Sequence, residues 1–274
     1  MAVHPTAIVE DGAILGAGVE VGPYCLVGRE VRLGDGVRLL SHVVVGGKTT
    51  IGERTVIYPQ AVIGGEAQIY NNNAPDARLE IGSGNVFREG VTINLGSKSG
   101  RGVTKVGNNC FLMINSHIGH DCNVGNNVTF ANGVLLAGHF DVGDGAIFGG
   151  NAAAQQFGRV GRYAFISGLS GVSTDVIPYG MAIGLHVRLG GLNLIGLRRR
   201  KIPRENIHAL RAAYRAIFLE GQWSIQENAR EIQATGKWNG IPEVDEVIAF
   251  ILADAKRPIT PARKRGGDDD DGEE

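Results

Sequence analysis

Aliphatic residues recur at every sixth position along the first two thirds of the chain. Starting at Val3, the series runs without a break to Ile63, returns at Ile81 and, after a shift of one residue, continues from Val106 to Val172. A six-residue period fits neither an α-helix nor an alternating strand. It is typical of a triangular solenoid, in which each six residues form a short strand and a corner, and three sixes form one coil. Residues three sixes apart then lie on successive coils, about 4.8 Å apart along the axis.

Interruptions of the six-residue repeat predict where loops leave the solenoid and where the solenoid ends. Two interruptions predict loops that leave the solenoid, near residues 68–78 and 95–105. The regular signal ends around Pro178, because proline cannot donate to a strand ladder. We therefore predict a β-helix over residues 1–180, followed by a linking segment over residues 181–201.

The hydrophobic period becomes helical after Pro203. Ser224 is a predicted helix cap, and a further helix is predicted to begin near Pro242. These signals predict a small helical C-terminal domain over residues 202–255. The remaining residues, 256–274, lack an apolar pattern and have segregated charges, which predicts a disordered tail. The first helix carries its apolar residues on one face: Ile207, Leu210, Tyr214, Ile217 and Phe218.

Composition narrows the functional classes. The 42 glycines in 274 residues exceed the usual share of about 7%, and they are spread along the chain, as regular turns require. The formal net charge of −1 gives no global electrostatic case for binding nucleic acid. Three cysteines without a CxxC pair indicate a reducing cytoplasm. No apolar run reaches the roughly 18 residues of a membrane span and no export signal opens the chain, so we expect no integral membrane association.

One polar cluster stands out from the repeat. The segment Leu112–Asp121, LMINSHIGHD, contains His117 and His120, and His139 follows in LAGHFD. An irregular polar cluster on a regular scaffold is where chemistry is expected.

Several segments resemble the UDP-N-acetylglucosamine O-acyltransferases, a family of hexapeptide-repeat acyltransferases that carries out the first step of lipid A synthesis. The resemblance covers Val3 to about Ala253 and implies a left-handed parallel β-helix followed by C-terminal helices. It also implies transfer of a 3-hydroxyacyl group from acyl carrier protein to the 3-hydroxyl of the UDP-sugar, by a homotrimer with active sites between subunits. The phosphopantetheine thioester of the carrier is then the co-substrate, and no cofactor or metal is implied. The matching segments are VHPTAIVEDGAILG, SHVVVGG, LMINSHIGHDCNVGN, LAGHFDVGD, QQFGRVGRYAF, SGLSGV and GLNLIGLRRRKIPRENIHALRAAYRAIF.

The resemblance assigns roles within the polar cluster. His120 matches the family's general base, a role that suits imidazole because it titrates near neutral pH. Gly138, one coil further on by the six-residue count, matches the backbone oxyanion donor. His117 and His139 match histidines that contact sugar or phosphate. Asp121 either orients His120 or, as its neighbour in sequence, points away from it.

Other matches concern substrate binding. Gln156 matches a glutamine of the family's pocket. Asn193 matches a nucleoside contact, although asparagine in a loop is also a common turn former. Arg199 and Arg200 match residues that bind the nucleotide, and guanidinium groups suit phosphate oxygens. The surplus positive charge of this segment also suits the acidic surface of acyl carrier protein. Gly168 matches the position that sets acyl chain length, or it is a plain turn glycine.

Departures from the family cluster in the substrate pocket. In each case a neutral or apolar side chain stands where the family has a charged or titratable one, at Ile69, Asn71, Leu95, Gln155 and Ile195. Two hypotheses within the acyltransferase class follow. The chain is the lipid A enzyme with a relaxed pocket, or a paralogue that acylates another nucleotide sugar, such as an amino sugar.

Two other functional classes are compatible with a six-residue repeat of this kind. Left-handed β-helices also include the γ-type carbonic anhydrases, whose zinc is held by three histidines, and His117, His120 and His139 lie in neighbouring coils. Their spacing differs from the HxxxxH pair of that family, which also lacks a long helical tail. A purely structural β-helix predicts no acyl transfer and no consequence of changing His120.

Overall fold

A computed structural model describes residues 2–71 and 74–263. The repeat of six folds into a triangular parallel β-helix. Most strands contain two residues, of which the second points inward: Leu112, Phe130 and Phe148 follow one another through the interior with no exposed surface. The inward residues form one continuous apolar core along the axis.

Three sheets form the faces of the β-helix. The strands of the first face are Ala2–Val3, Glu20–Val21, Arg38–Leu39, Val56–Ile57, Val86–Phe87, Phe111–Leu112, Thr129–Phe130, Ile147–Phe148, Phe165–Ile166, Gly180–Ile183 and Arg188–Leu192. The strands of the second face are Ile8–Val9, Leu26–Val27, Val44–Val45, Val62–Gly65, Thr92–Asn94, His117–Ile118, Leu135–Leu136, Ala153–Ala154 and Gly171–Val172. The strands of the third face are Ile14–Leu15, Arg32–Leu33, Lys48–Ile51, Arg78–Ile81, Val103–Val106, Asn123–Val124, Asp141–Val142 and Arg159–Val160.

The corners between faces stack into three edges. We call the edge between the first and second faces the first edge, that between the second and third faces the second edge, and that between the third and first faces the third edge. On the second edge, Asp121, His139 and Phe157 occupy equivalent corners and have φ values of 59°, 61° and 65°. These three successive coils turn through the same left-handed conformation, so their equivalent residues are superimposed along the edge.

Two insertions leave the β-helix, and the register of the second face shifts only locally, between Ile63 and Gly65, where the first insertion begins. Arg78 pairs with Lys48 on the preceding coil, so the first loop, which connects Gly65 to Arg78, lies outside the strand ladder. Arg78 also pairs with Val103 on the following coil, so the second loop, residues 95–102, lies outside it as well. Both loops occur where the repeat count is interrupted.

The β-helix continues beyond the predicted boundary at residue 180. Although Pro178 is outside any strand, Gly180–Ile183 rejoins the first face beside Phe165–Ile166 and then forms an antiparallel pair with Arg188–Leu192. The predicted linking segment therefore contains two strands and a short helix, α1, Leu194–Arg199.

Three further helices follow: α2, Arg204–Phe218; α3, Ile225–Thr235; and α4, Pro242–Leu252. Ser224 caps α3 as predicted, through a reciprocal capping box with Glu227. No helix within the described ranges is both long enough and apolar enough to cross a membrane.

Residues 256–263 differ from the predicted disordered tail, whose remainder, residues 264–274, lies outside the described residues. They run along the end of the β-helix, where Asp175 and Leu189 donate backbone hydrogen bonds to Pro258 and Pro261. Ile259 and Thr260 are buried there. These backbone hydrogen bonds give partners to N–H groups at the end of the β-helix that would otherwise lack one. The composition of residues 256–263 does not reveal such pairing.

Candidate active site

His120 and Asp121 form a hydrogen-bonded pair on the second edge. His120 Nδ1 lies 2.8 Å from Asp121 Oδ2, and the aspartate side chain has no exposed surface. Burial acts to raise the pKa of Asp121, but hydrogen bonds from Ser97 and His120 outweigh it and hold that pKa below its usual range. An ionised carboxylate only accepts hydrogen bonds, so Nδ1 of His120 is the protonated nitrogen and Nε2 has a free lone pair. Asp121 therefore points toward His120, not away from it.

The backbone of Gly138 lies directly beneath the ring of His120, one coil further on. A Cβ atom at position 138 would be 2.5 Å from both Cε1 and Nε2 of His120, a distance that atoms do not tolerate. Among the described residues, the N–H of Gly138 donates no backbone or side-chain hydrogen bond. The site thus combines an available base with an available backbone donor.

His139 and His117 flank His120 on two sides. The ring of His139 meets that of His120 edge to face, with centroids 4.9 Å apart, and stacks on Phe157 at 4.5 Å. His117 is on the second face, with Nδ1 2.7 Å from Thr92 Oγ1. Burial is the main cause that lowers the pKa of both His117 and His139. A pKa below the ordinary histidine value favours the neutral form of both rings at pH 7.

The other predicted residues are divided between the second edge and the two other edges of the same chain. Gln156 shares the column of His120 and Gly138, with an exposed side chain and a carbonyl oxygen that accepts from Arg257. Gly168 is exposed in a corner of the first edge. Since residues on separate edges of a prism cannot meet, one chain alone does not bring the whole predicted set together.

The nucleotide-binding candidates lie at the third edge. Asn193 caps α1 by accepting from Gly196 N–H, and its Nδ2 donates to the carbonyl of Tyr163, so both of its polar groups are engaged within the chain. Arg200 lies 3.9 Å above the ring of Tyr163 and donates to the carbonyl of Gly145. Arg199 is exposed in the last turn of α1.

Among the described residues of one chain, His117, His120 and His139 do not come together as a set of three metal ligands. Within the described residues, the side chains that approach one another closely enough to share a metal ion are His120, Asp121 and His139, whose ligand atoms lie within 4.8 Å. His117 is outside this group. The Asp121 carboxylate already accepts hydrogen bonds from Ser97, Gly102 and His120, which leaves it little capacity for a metal.

Several residues around His120 have no counterpart in the sequence analysis. Ser97 contacts the Asp121 carboxylate, and Thr104 accepts a hydrogen bond from the Asp121 N–H through its hydroxyl oxygen, 2.8 Å away. Phe157 supports His139 from the next coil, and its equivalent position in the repeat was a signal that could have found it. Ser97 lies in an insertion that interrupts the repeat, so no count pairs it with Asp121.

The chain is similar to known acyltransferases along nearly its whole length. A family model described as UDP N-acetylglucosamine O-acyltransferase, domain 2, matches residues 175–260, and a model of the bacterial transferase hexapeptide repeat matches residues 30–65 and 104–138. The chain is 49% identical over 265 residues to acyl-[acyl-carrier-protein]--UDP-N-acetylglucosamine O-acyltransferase of Sinorhizobium fredii, with 97% of each chain covered. The enzyme of the same name from Anaeromyxobacter sp. (strain K) is 47% identical, over 95% of this chain and all of the relative.

Solved structures give the same result. The crystal structure of UDP-N-acetylglucosamine O-acyltransferase from Moraxella catarrhalis superimposes with a TM-score of 0.90 at 36% identity, covering 95% of this chain and 100% of the other. The related Acinetobacter baumannii structure gives 0.91 at 35% identity, with coverages of 95% and 100%. These matches confirm the predicted left-handed parallel β-helix with C-terminal helices. The chain belongs to the UDP-N-acetylglucosamine O-acyltransferase family.

Proposed function

We propose that this chain transfers a 3-hydroxyacyl group from acyl carrier protein to the 3-hydroxyl of UDP-N-acetylglucosamine, with His120 as the general base. The observation that supports this most directly is the pairing of His120 Nδ1 with Asp121 directly over Gly138. The relatives that carry this name cover nearly the whole chain. Acylation of UDP-N-acetylglucosamine by relatives of this name is the first step of lipid A biosynthesis.

Each chemical step has a group to carry it. Nε2 of His120 removes the proton as the sugar oxygen attacks the thioester carbonyl, and the Gly138 N–H donates to the oxygen that becomes negative. Collapse of the tetrahedral intermediate breaks the carbon–sulfur bond and releases the phosphopantetheine thiolate. The imidazolium of His120 returns its proton to that sulfur, so the base is regenerated. Neutral His117 and His139 supply hydrogen bonds to the sugar and its phosphates.

The proposal includes assembly as a homotrimer. On the second face the outward positions are mostly apolar and several are exposed, including Val44, Val62 and Leu135. On the third face the outward positions are mostly charged or polar, including Lys105, Asn123 and Asp141. An exposed apolar face is typical of a surface that packs against another subunit, and a closed ring of three subunits would cover it.

Assembly also accounts for the separation of the candidate residues. His120 lies on the second edge, whereas Arg200 and Asn193 lie on the third. Packing of faces from two subunits brings different edges together, and a nucleotide held by one chain then reaches the base of another. The three cysteines, all free and buried, fit a reaction in the reducing cytoplasm.

The test is turnover with defined substrates. The protein is incubated with 3-hydroxyacyl carrier proteins of several chain lengths and a panel of UDP-sugars that includes a 3-amino sugar, and the products are identified by mass spectrometry. We expect an ester of UDP-N-acetylglucosamine, lost in His120→Ala and kept in His208→Ala, which changes an exposed histidine of α2. Formation of an amide with the amino sugar alone would replace the proposed acceptor, and full activity of His120→Ala would remove the proposed base.

A further inference from the structure

The second loop, residues 95–102, closes over the carboxylate of Asp121. Ser97 is 1% exposed and donates from its hydroxyl to Asp121 Oδ2 at 2.5 Å and from its backbone N–H, which lies 3.1 Å from each carboxylate oxygen. Gly102 N–H donates to Oδ1 at 2.9 Å. Both ends of the loop therefore hold the same buried side chain.

A second set of contacts fixes the loop to the β-helix. Arg101 donates to the carbonyl oxygen of Asp121 at 3.2 Å. It also forms a bidentate ion pair with Asp141, in which its two terminal nitrogens lie 2.6 and 2.8 Å from the two carboxylate oxygens. Asp141 is on the third face, one coil beyond Asp121 along the axis. Paired guanidinium contacts of this kind set the position of both partners.

We propose that the second loop is a clamp that holds Asp121 ionised and correctly rotated, so that Asp121 keeps the proton of His120 on Nδ1. Ser97 is the main positioning residue of this clamp. The inference rests on the proposed role of His120 and extends the catalytic apparatus to a loop outside the repeat.

The physical reason lies in the burial of Asp121. A carboxyl group with no exposed surface favours its protonated form unless hydrogen-bond donors stabilise the charge. Ser97 is the largest of the stabilising influences that hold the pKa of Asp121 low. A protonated or rotated Asp121 no longer requires a proton on Nδ1, and the imidazole can then carry it on Nε2, where it cannot act as a base.

The test replaces Ser97 in the full-length protein. We expect Ser97→Ala to lower kcat about tenfold with KM little changed, because positioning contacts of this type contribute roughly 10-fold or more to activity. Ser97→Thr keeps the hydroxyl and restores most of the rate. Ser99→Ala is the control within the same loop: Ser99 is exposed and its hydroxyl lies 3.5 Å from that of Ser97, but it makes no contact with the carboxylate, so only the Ser97–Asp121 contact distinguishes the two variants.

A spectroscopic measurement separates positioning from simple loss of structure. Nitrogen-15 chemical shifts of the His120 ring report which nitrogen is protonated, and we expect Nδ1 in the parent protein and in Ser97→Thr but a mixture in Ser97→Ala. A parent-like tautomer with parent-like kcat in Ser97→Ala would overturn the proposal. If Ser97→Ala does not fold, Arg101→Met provides the same tautomer measurement. It removes the ion pair between the loop and Asp141, and the Arg101 side chain is partly exposed, so the fold should tolerate the change.

A double-variant cycle shows whether Ser97 acts through Asp121. In an Asp121→Asn background, Ser97→Ala should cause little additional loss of kcat, whereas an equal further loss would contradict the clamp. The tautomer measurement does not depend on turnover. If the parent protein showed no acyl transfer, or if His120→Ala kept its activity, the proposed function or the proposed base would fail, while the state of the His120 ring would still test the clamp.

Discussion

The imidazole of His120 lies so close to the backbone of Gly138 that no side chain fits between them. A Cβ at position 138 would approach Cε1 and Nε2 of His120 to 2.5 Å, although Gly138 has no left-handed φ that would itself require glycine. The glycine is therefore needed for the room that it leaves to the histidine of the preceding coil. The same absence of a side chain opens the Gly138 N–H to a developing oxyanion.

Gly138→Ala should lower kcat/KM by roughly 100-fold or more, because the added methyl group pushes the proposed base out of its position. The measurement is steady-state acyl transfer, together with thermal unfolding to show that the fold persists. Gly46→Ala is the control, since its Cβ would meet the nearest backbone atom at 3.8 Å, an ordinary contact. Parent-like activity of Gly138→Ala would mean that His120 does not need its observed position.

Acid should destabilise the protein through the partly buried histidines His117 and His139. The pKa values of His117 and His139 are lowered, chiefly by burial, so below the ordinary histidine pKa of about 6.5 the unfolded chain binds protons that the folded chain does not. Their contribution is fully present above about pH 6.5 and is lost as the pH falls from there toward the lowered folded-state values. Asp121 adds a second loss at lower pH, beginning as the pH falls through the ordinary aspartate pKa of about 3.9.

Calorimetry between pH 5 and 7.5 checks this prediction. We expect the unfolding temperature of the parent protein to fall as the pH decreases, and His117→Asn to flatten part of that slope. His208→Asn, a substitution at an exposed site of α2, should keep the parental slope. An unfolding temperature independent of pH in this range would contradict the assignment of His117 and His139 as partly buried groups with lowered pKa values.

Prediction from the sequence succeeded where the repeat count is unbroken. The count placed Gly138 one coil from His120, because three sixes always make one coil once short strands alternate with fixed corners. It could not place Ser97 against Asp121, since Ser97 belongs to an insertion and loop paths depend on tertiary contacts. The direction of Asp121 depends on its left-handed φ of 59°, a backbone choice that a sequence pattern does not display.

The same limit applies at the end of the β-helix. Residues 256–263 have too few apolar side chains to signal a packed segment, yet their backbone pairs with Asp175 and Leu189. Asp175 is also buried and accepts two hydrogen bonds from Arg159, so the position of this segment is coupled to a charged network. Pairing of this kind depends on which backbone N–H and C=O groups lack a partner once the β-helix has formed, and the amino-acid composition of the segment does not indicate those groups.

Tyr179→Phe should destabilise the protein by about 1–3 kcal/mol, because it removes a hydroxyl that links two charged partners in a buried site. The Tyr179 hydroxyl donates to Glu246 of α4 and accepts from Arg162 at 2.5 Å, and the side chain has no exposed surface. Denaturant unfolding measures the change. Tyr70→Phe, at a residue that is 99% exposed, is the control and should be neutral. Equal stability of the two variants would show that the link between α4 and the β-helix contributes nothing.

Leu135→Glu should disrupt assembly. Leu135 points outward from the second face beside His117 and is 51% exposed in the single chain, where an added charge costs little. In a trimer that packs this face against a neighbour, the buried carboxylate would have no partner and the interface would weaken by several kcal/mol. Light scattering after size exclusion should therefore give a trimer for the parent and smaller species for Leu135→Glu, with acyl transfer reduced because residues from different edges no longer meet.

Ile14→Glu is the matched control, since Ile14 is 48% exposed on the third face and the same charge there should leave both the mass and the activity unchanged. Loss of assembly in both variants would mean that the polar third face is also an interface, and retention of a fully active trimer in Leu135→Glu would exclude the second face.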